Sequence, residues 1–147
     1  MSRLLTILLP AGALIATTAV AAPGIEGTWT NPARDVNVRI ARCGRTQCGR
    51  VTAASPYARK RAASAGTQSL VGTEVISNIE QTGPDSWRAD IFVPDQNVHS
   101  SGDISLLRRD EMSVRGCMVG GLICKEQNWT RVAAPAQRPR VRHGTSP

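Results

Sequence analysis

Met112-Ser-Val-Arg-Gly-Cys117-Met-Val-Gly-Gly-Leu-Ile-Cys124-Lys-Glu-Gln-Asn-Trp129-Thr-Arg-Val132 places two cysteines, a Gly-Gly turn and a Trp-containing strand within 21 residues. Opposed Cα atoms in adjacent antiparallel strands lie about 4.5–5.5 Å apart, within disulfide reach. The stretch therefore reads as a hairpin pinned at its turn, with residues 112–117 and 128–132 as strands and Trp129 packed inside. The remaining cysteines repeat the arrangement: Cys43 and Cys48 flank Gly44-Arg45-Thr46-Gln47, a natural four-residue hairpin loop.

Four cysteines permit three pairings. The two short ones, Cys43–Cys48 and Cys117–Cys124, each remove chain entropy of about 2–2.5 kcal/mol from the unfolded state. A long crosslink such as Cys43–Cys124 would contribute about 4.5 kcal/mol, but it requires two distant turns to meet. The short pairs are expected. A zinc site using all four thiolates is the rival, and its C-x4-C and C-x6-C spacings depart from the C-x2-4-C usual in structural zinc sites.

Disulfides imply an oxidising compartment, and the other end of the chain agrees. Met1-Ser-Arg3 is a short positive start, residues 4–20 are apolar apart from three threonines, and Ala19-Val20-Ala21 is an A-x-A cleavage signal. A bilayer span needs about 20 apolar residues, and this one is interrupted by Pro10 and Gly12. The expectation is a secretory signal peptide over residues 1–21, cleaved after about Ala21, and a mature protein that is periplasmic or secreted and does not span the membrane.

The whole chain carries 18 Lys and Arg against 11 Asp and Glu, a net charge of +7. Arg138, Arg140 and Arg142 supply part of that from residues 133–147, a Pro- and Arg-containing tail without apolar periodicity that is expected to be disordered. Nucleic-acid binding would need a basic face interleaved with stacking aromatics. The aromatic residues are Trp29, Tyr57, Trp87, Phe92 and Trp129, and all but Tyr57 fall at strand positions. No nucleic-acid partner is expected.

Residues 22–132 read as one β domain. Residues 35–42 alternate, with Val36, Val38 and Ile40 on one face and Asn37, Arg39 and Ala41 on the other. Residues 86–93 do the same, with Trp87, Ala89, Ile91 and Val93 inward. Further strands are expected over 25–29, 49–54, 71–81, 102–107, 112–117 and 128–132. Ser55-Pro56 can cap and open one or two helical turns that Gly66 ends. About eight short strands without a long amphipathic helix give an all-β antiparallel up-and-down barrel, whose closure removes exposed sheet edges. A sandwich is the alternative. Gly27-Thr28-Trp29 resembles the Gly-x-Trp that opens lipocalin-like barrels.

Over residues 25–132 the chain resembles the bacterial family called domain of unknown function 2147. The matching residues are Gly27-x-Trp29 with Pro32, Cys43-Gly44 with Cys48-Gly49-Arg50-Val51, Ile91-Phe92-x-Pro94-Asp95, and above all Gly116-Cys117 through Trp129-Thr130-Arg131. The resemblance implies a small exported barrel-like domain of undetermined activity. Where the family continues toward Gly-Lys-x-Tyr, this chain has Asn97-Val98-His99-Ser100. Asn97 can adopt the left-handed conformation that Gly would.

Catalytic constellations are thin. His99-Ser100-Ser101-Gly102-Asp103 offers a base, a nucleophile and a carboxylate, but triads are assembled in space rather than from chain neighbours. Ser, Gly and Asp here favour a turn. His143 is the only other histidine, so no metal site, cofactor or enzyme activity is expected. The first functional reading is a binder of a small apolar or amphipathic ligand. Its lining would come from Trp29, Val38, Ile40, Trp87, Ile91 and Trp129, with Val36, Ile104 and Val114 beside them. The second is a non-catalytic envelope interaction or structural module, meeting a partner protein through loops and the basic tail.

Overall fold

The computed structural model describes residues 24–118 and 120–133. The expected signal peptide and nearly all of the expected basic tail lie outside these residues. Eight strands follow in chain order: β1 Gly27–Thr30, β2 Val36–Cys43, β3 Thr46–Ala54, β4 Glu74–Gly83, β5 Ser86–Val93, β6 Val98–Arg108, β7 Glu111–Met118 and β8 Ile123–Arg131. Each pairs antiparallel with the next, and β8 returns to β1, so the sheet is a closed barrel. This is the up-and-down barrel that the strand spacing predicts; the sandwich does not form.

Period-two patterning decides which face points inward. In β2, Val38 and Ile40 are buried while Arg39 between them is exposed; in β5, Trp87 and Ala89 are buried while Arg88 and Asp90 are exposed. The core joins these residues to Ile25, Trp29, Val51, Ile76, Ile104 and Met112. Burying each large aliphatic side chain stabilises the fold by about 1.5–3 kcal/mol.

One helix, α1 Pro56–Ser64, fills the β3–β4 connection. Ser55 is its N-cap, the hydroxyl accepting the Ala58 N–H at 3.1 Å, and Pro56 opens the first turn. Ala58 and Ala62 bury the side of the helix that covers one barrel end. The capping signals hold, and at nine residues the helix exceeds the one or two turns expected.

Four boundaries differ from the periodicity. β3 begins at Thr46 rather than 49, because Cys43 pairs with Thr46 and Arg42 with Gln47, so the expected four-residue loop is the two-residue turn Gly44-Arg45. β8 begins at Ile123 rather than 128, because its pairing with β7 runs from Met118↔Ile123 to Glu111↔Thr130. The polar run Lys125-Glu126-Gln127-Asn128 has no apolar alternation to announce it. β6 begins at Val98, so His99 to Asp103, expected as a turn, is strand; it pairs with β5 from Val93↔Val98 onward. The turn before it holds Asn97 at φ 52°, the left-handed conformation anticipated there. β4 begins at Glu74 rather than 71, and bulges interrupt its registers with both neighbours.

The cysteines pair as expected. Cys43–Cys48 joins β2 to β3 with Cα atoms 5.7 Å apart, and Cys117–Cys124 joins β7 to β8 with Cα atoms 4.0 Å apart. Among the described residues no cysteine is free.

Candidate functional site

The two barrel ends are built differently. At one end lie the β2–β3, β4–β5 and β6–β7 turns, and the segment before β1 crosses beneath Trp29. The Trp29 indole N–H donates to the Ile25 carbonyl at 2.8 Å, and both side chains are buried. Arg131 of β8 lies over the ring, its guanidinium carbon 4.2 Å from the ring centroid. The same guanidinium donates to the carbonyls of Gly24, Glu26 and Arg109. Burial lowers the Arg131 pKa, and the negative charge of Asp110 opposes that shift.

The other end carries the β1–β2 loop, α1, the β5–β6 turn and the β7–β8 turn. There the interior opens into a cavity of about 370 Å³. Val38, Val51, Leu70, Val75 and Ile76 make one apolar wall, and Ile91 and Val114 continue it. The β8 wall is different. Lys125, Gln127 and Trp129 stand at alternate positions and face inward opposite Gly116, Val114 and Met112. Ser100 of β6 joins them. The Trp129 indole nitrogen is buried and has no hydrogen-bond partner. At the rim Arg61 of α1 pairs with Asp95, and Asp35 accepts the Asn31 amide at 2.7 Å.

Of the six residues expected to line a ligand site, Val38, Ile91 and Trp129 face this cavity. Trp29 and Ile40 are packed beneath it, 0% and 1% exposed. Trp87 borders a separate hollow of about 390 Å³ near the opposite turns, beside Arg42, Arg45 and Gln81. Periodicity did not single out Val75 and Ile76, because β4 is bulged and its alternation broken, nor Leu70, which lies in the connection between α1 and β4. Lys125 and Gln127 were also missed. Their signal was available: counting back by two from Trp129 places both on its face.

The polar cluster on β6 disperses. His99 points outward and stacks on Phe92 with centroids 4.5 Å apart, Ser100 faces the cavity, and Ser101 and Asp103 are exposed. No nucleophile–base–carboxylate chain forms among these four. Cys43, Cys48 and Glu74 bring potential ligand atoms within 4.8 Å of one another, but both sulfurs are consumed in the disulfide, and thiolates are what a metal would need.

Residues 27–131 match a family described as "Uncharacterized protein conserved in bacteria (DUF2147)". No curated protein matches the chain. Among solved structures, the chain is similar to protein HP1028 from Helicobacter pylori, described as belonging to the lipocalin family, with a TM-score of 0.55 and 12% sequence identity. The similarity covers 78% of this chain and 85% of that one. At that identity the likeness is one of fold.

Proposed function

The chain belongs to the DUF2147 family of conserved, uncharacterised bacterial proteins, and from that premise we propose that it is an exported, non-catalytic protein that binds a small apolar or amphipathic molecule inside its barrel. The observation that carries this reading is the open-ended cavity of about 370 Å³, walled by aliphatic side chains and lined also by Trp129, whose buried indole N–H is unpartnered. Ligand sites typically occupy about 300–1,000 Å³, are lined mainly by apolar groups and contain a few convergent polar ones. A buried donor without a partner is costly, of order 1–3 kcal/mol, and a ligand acceptor would satisfy it.

Export rests on two supports. The paired cysteines fit an oxidising, extracytoplasmic compartment, and the leader has the three-part composition of a cleaved signal. Among the described residues no helix is long and apolar enough to cross a membrane.

Native mass spectrometry of the protein purified from its own envelope tests the reading. A stoichiometric small molecule is expected, and it should be lost in Val114→Phe, which fills the cavity from β7 while leaving the outer surface unchanged. A clean apo mass together with no uptake of a hydrophobic dye would sink the proposal.

The envelope-module reading has its own observation. Leu122 and Ile123, at the β7–β8 tip, are 84% and 53% exposed. Crosslinking in the envelope would favour it by trapping one specific protein through that tip, with the trap lost in Leu122→Ser/Ile123→Ser.

A further inference from the structure

We infer that the ligand carries a monoanionic head, a carboxylate on a single apolar chain, and that Lys125, Gln127 and the Trp129 indole N–H hold it against the β8 wall. This rests on the cavity-binding reading above and adds the chemical class. The cavity is asymmetric. The β2, β3 and β4 side is aliphatic, with Val38, Val51 and Ile76 and no polar side chain. The β8 side presents three side chains in a row that donate hydrogen bonds: an ammonium with three donors, an amide with two, and an indole with one.

Lys125 and Gln127 are solvent-exposed and Trp129 is half-buried, and all three line the cavity. Lys125 lies opposite Gly116, where the Ser100 hydroxyl stands 3.1 Å from the position a Cβ would take, and both Lys125 and Ser100 line the cavity. Gln127 lies opposite Val114, which offers it no hydrogen bond. Deeper still, the Trp129 nitrogen is closed off from solvent and unpartnered. Going inward, the wall therefore runs from cation to amide to a desolvated donor. An acceptor-only group with two oxygens can bridge such a ladder, and charge-assisted hydrogen bonds of this kind are the stronger class.

The charge count selects a monoanion. Among the described residues, the ion pairs engage Arg50, Arg61, Arg88 and Arg108, and no carboxylate lies within ion-pair distance of Lys125. Arg61 is neutralised by Asp95 at the rim. One cation is therefore free for the ligand, and Asp35 in the same lining would disfavour a second negative charge. A cationic head would have Asp35 as its partner, but that carboxylate already accepts from Asn31 and leaves the Trp129 donor unanswered.

Titration calorimetry of the oxidised protein with four probes of one chain length, decanoate, decanol, decyl phosphate and decyltrimethylammonium, reads the head directly. Decanoate should bind about tenfold more tightly than decanol, the step expected of one charge-assisted contact, with the phosphate and the ammonium weaker than decanoate. Lys125→Met should remove most of that preference and leave decanol unchanged. Trp129→Phe, which keeps the ring and deletes the donor, should weaken decanoate about threefold or more, in line with a single hydrogen bond. Equal binding of decanoate and decanol, or tightest binding of the ammonium or the phosphate, overturns the head assignment and leaves cavity binding standing. Failure of all four probes to bind overturns both.

Discussion

Arg131 ties three segments of the chain together with one guanidinium. It donates to the carbonyls of Gly24 and Glu26 ahead of β1 and to Arg109 in the β6–β7 turn, while its plane covers Trp29. The planar fork suits this task, and an ammonium presents a single point of charge instead. Arg131→Met should therefore destabilise the protein by about 2–4 kcal/mol, several charge-assisted bonds discounted for partial exposure. Arg131→Lys should recover less than half of that loss in urea unfolding. Gly27 belongs to the same cluster: a Cβ there would stand 2.5 Å from the Arg131 guanidinium, and its φ of 131° disfavours other residues. Gly102 is constrained by space alone. An added Cβ would lie 2.2 Å from Ile91 Cδ1 and 2.6 Å from the Arg115 carbonyl. Gly102→Ala should cost about 1–3 kcal/mol as an overpacking substitution. Adding Ile91→Val, which removes the nearer clash and leaves the carbonyl, should restore only part of it.

The β7–β8 hairpin shows what its sequence encodes and what it does not. Cysteine spacing and the Gly120-Gly121 turn, both glycines at positive φ, announce the pairing. The extent of β8 is hidden, since Lys125 to Asn128 is polar throughout and most of the strand is exposed. Its registration comes from β7 and the crosslink, and periodicity sees neither. The same physics explains the candidate site. Strands with one buried face, β2 and β5, are legible from alternation, and Val38 and Ile91 follow from them. A strand whose inward face lines an open cavity has no reason to be apolar, so Lys125 and Gln127 leave no hydrophobic signal. Bulged β4 likewise conceals Val75 and Ile76. If the crosslink sets β8 against β7, replacing Cys117 and Cys124 by Ser should cost about 2.5 kcal/mol, the closure entropy of a loop this short. Urea unfolding should show a lower midpoint at unchanged slope. Peptide mapping of the unreduced wild type should return only the 43–48 and 117–124 links.

At the scale of the whole barrel, closure is uneven. β5 and β6 register along eight pairs, whereas β1 meets β8 at only two, Trp29↔Arg131 and Thr30↔Thr130. Beyond Thr30 the chain leaves the sheet, and Asn31, Ala33 and Asp35 line the same cavity as Lys125, Gln127 and Trp129. Local opening follows the weakest cooperative joint, and ligand-accessible regions are drawn from the least stable parts of a structure. The β1–β8 seam is that joint, and the Arg131 bonds to Gly24 and Glu26 are its clasp. Hydrogen exchange should therefore be faster in peptides covering residues 27–31 and 129–132 than in those covering residues 87–92. Arg131→Met should accelerate the seam while leaving β5 close to its wild-type rate, provided conditions stay well below global unfolding. Uniform acceleration of all eight strands would mean that the barrel opens as one unit and that Arg131 contributes to global stability alone. A seam-confined change would place the route into the cavity along the side of the barrel, between β8 and the β1–β2 loop.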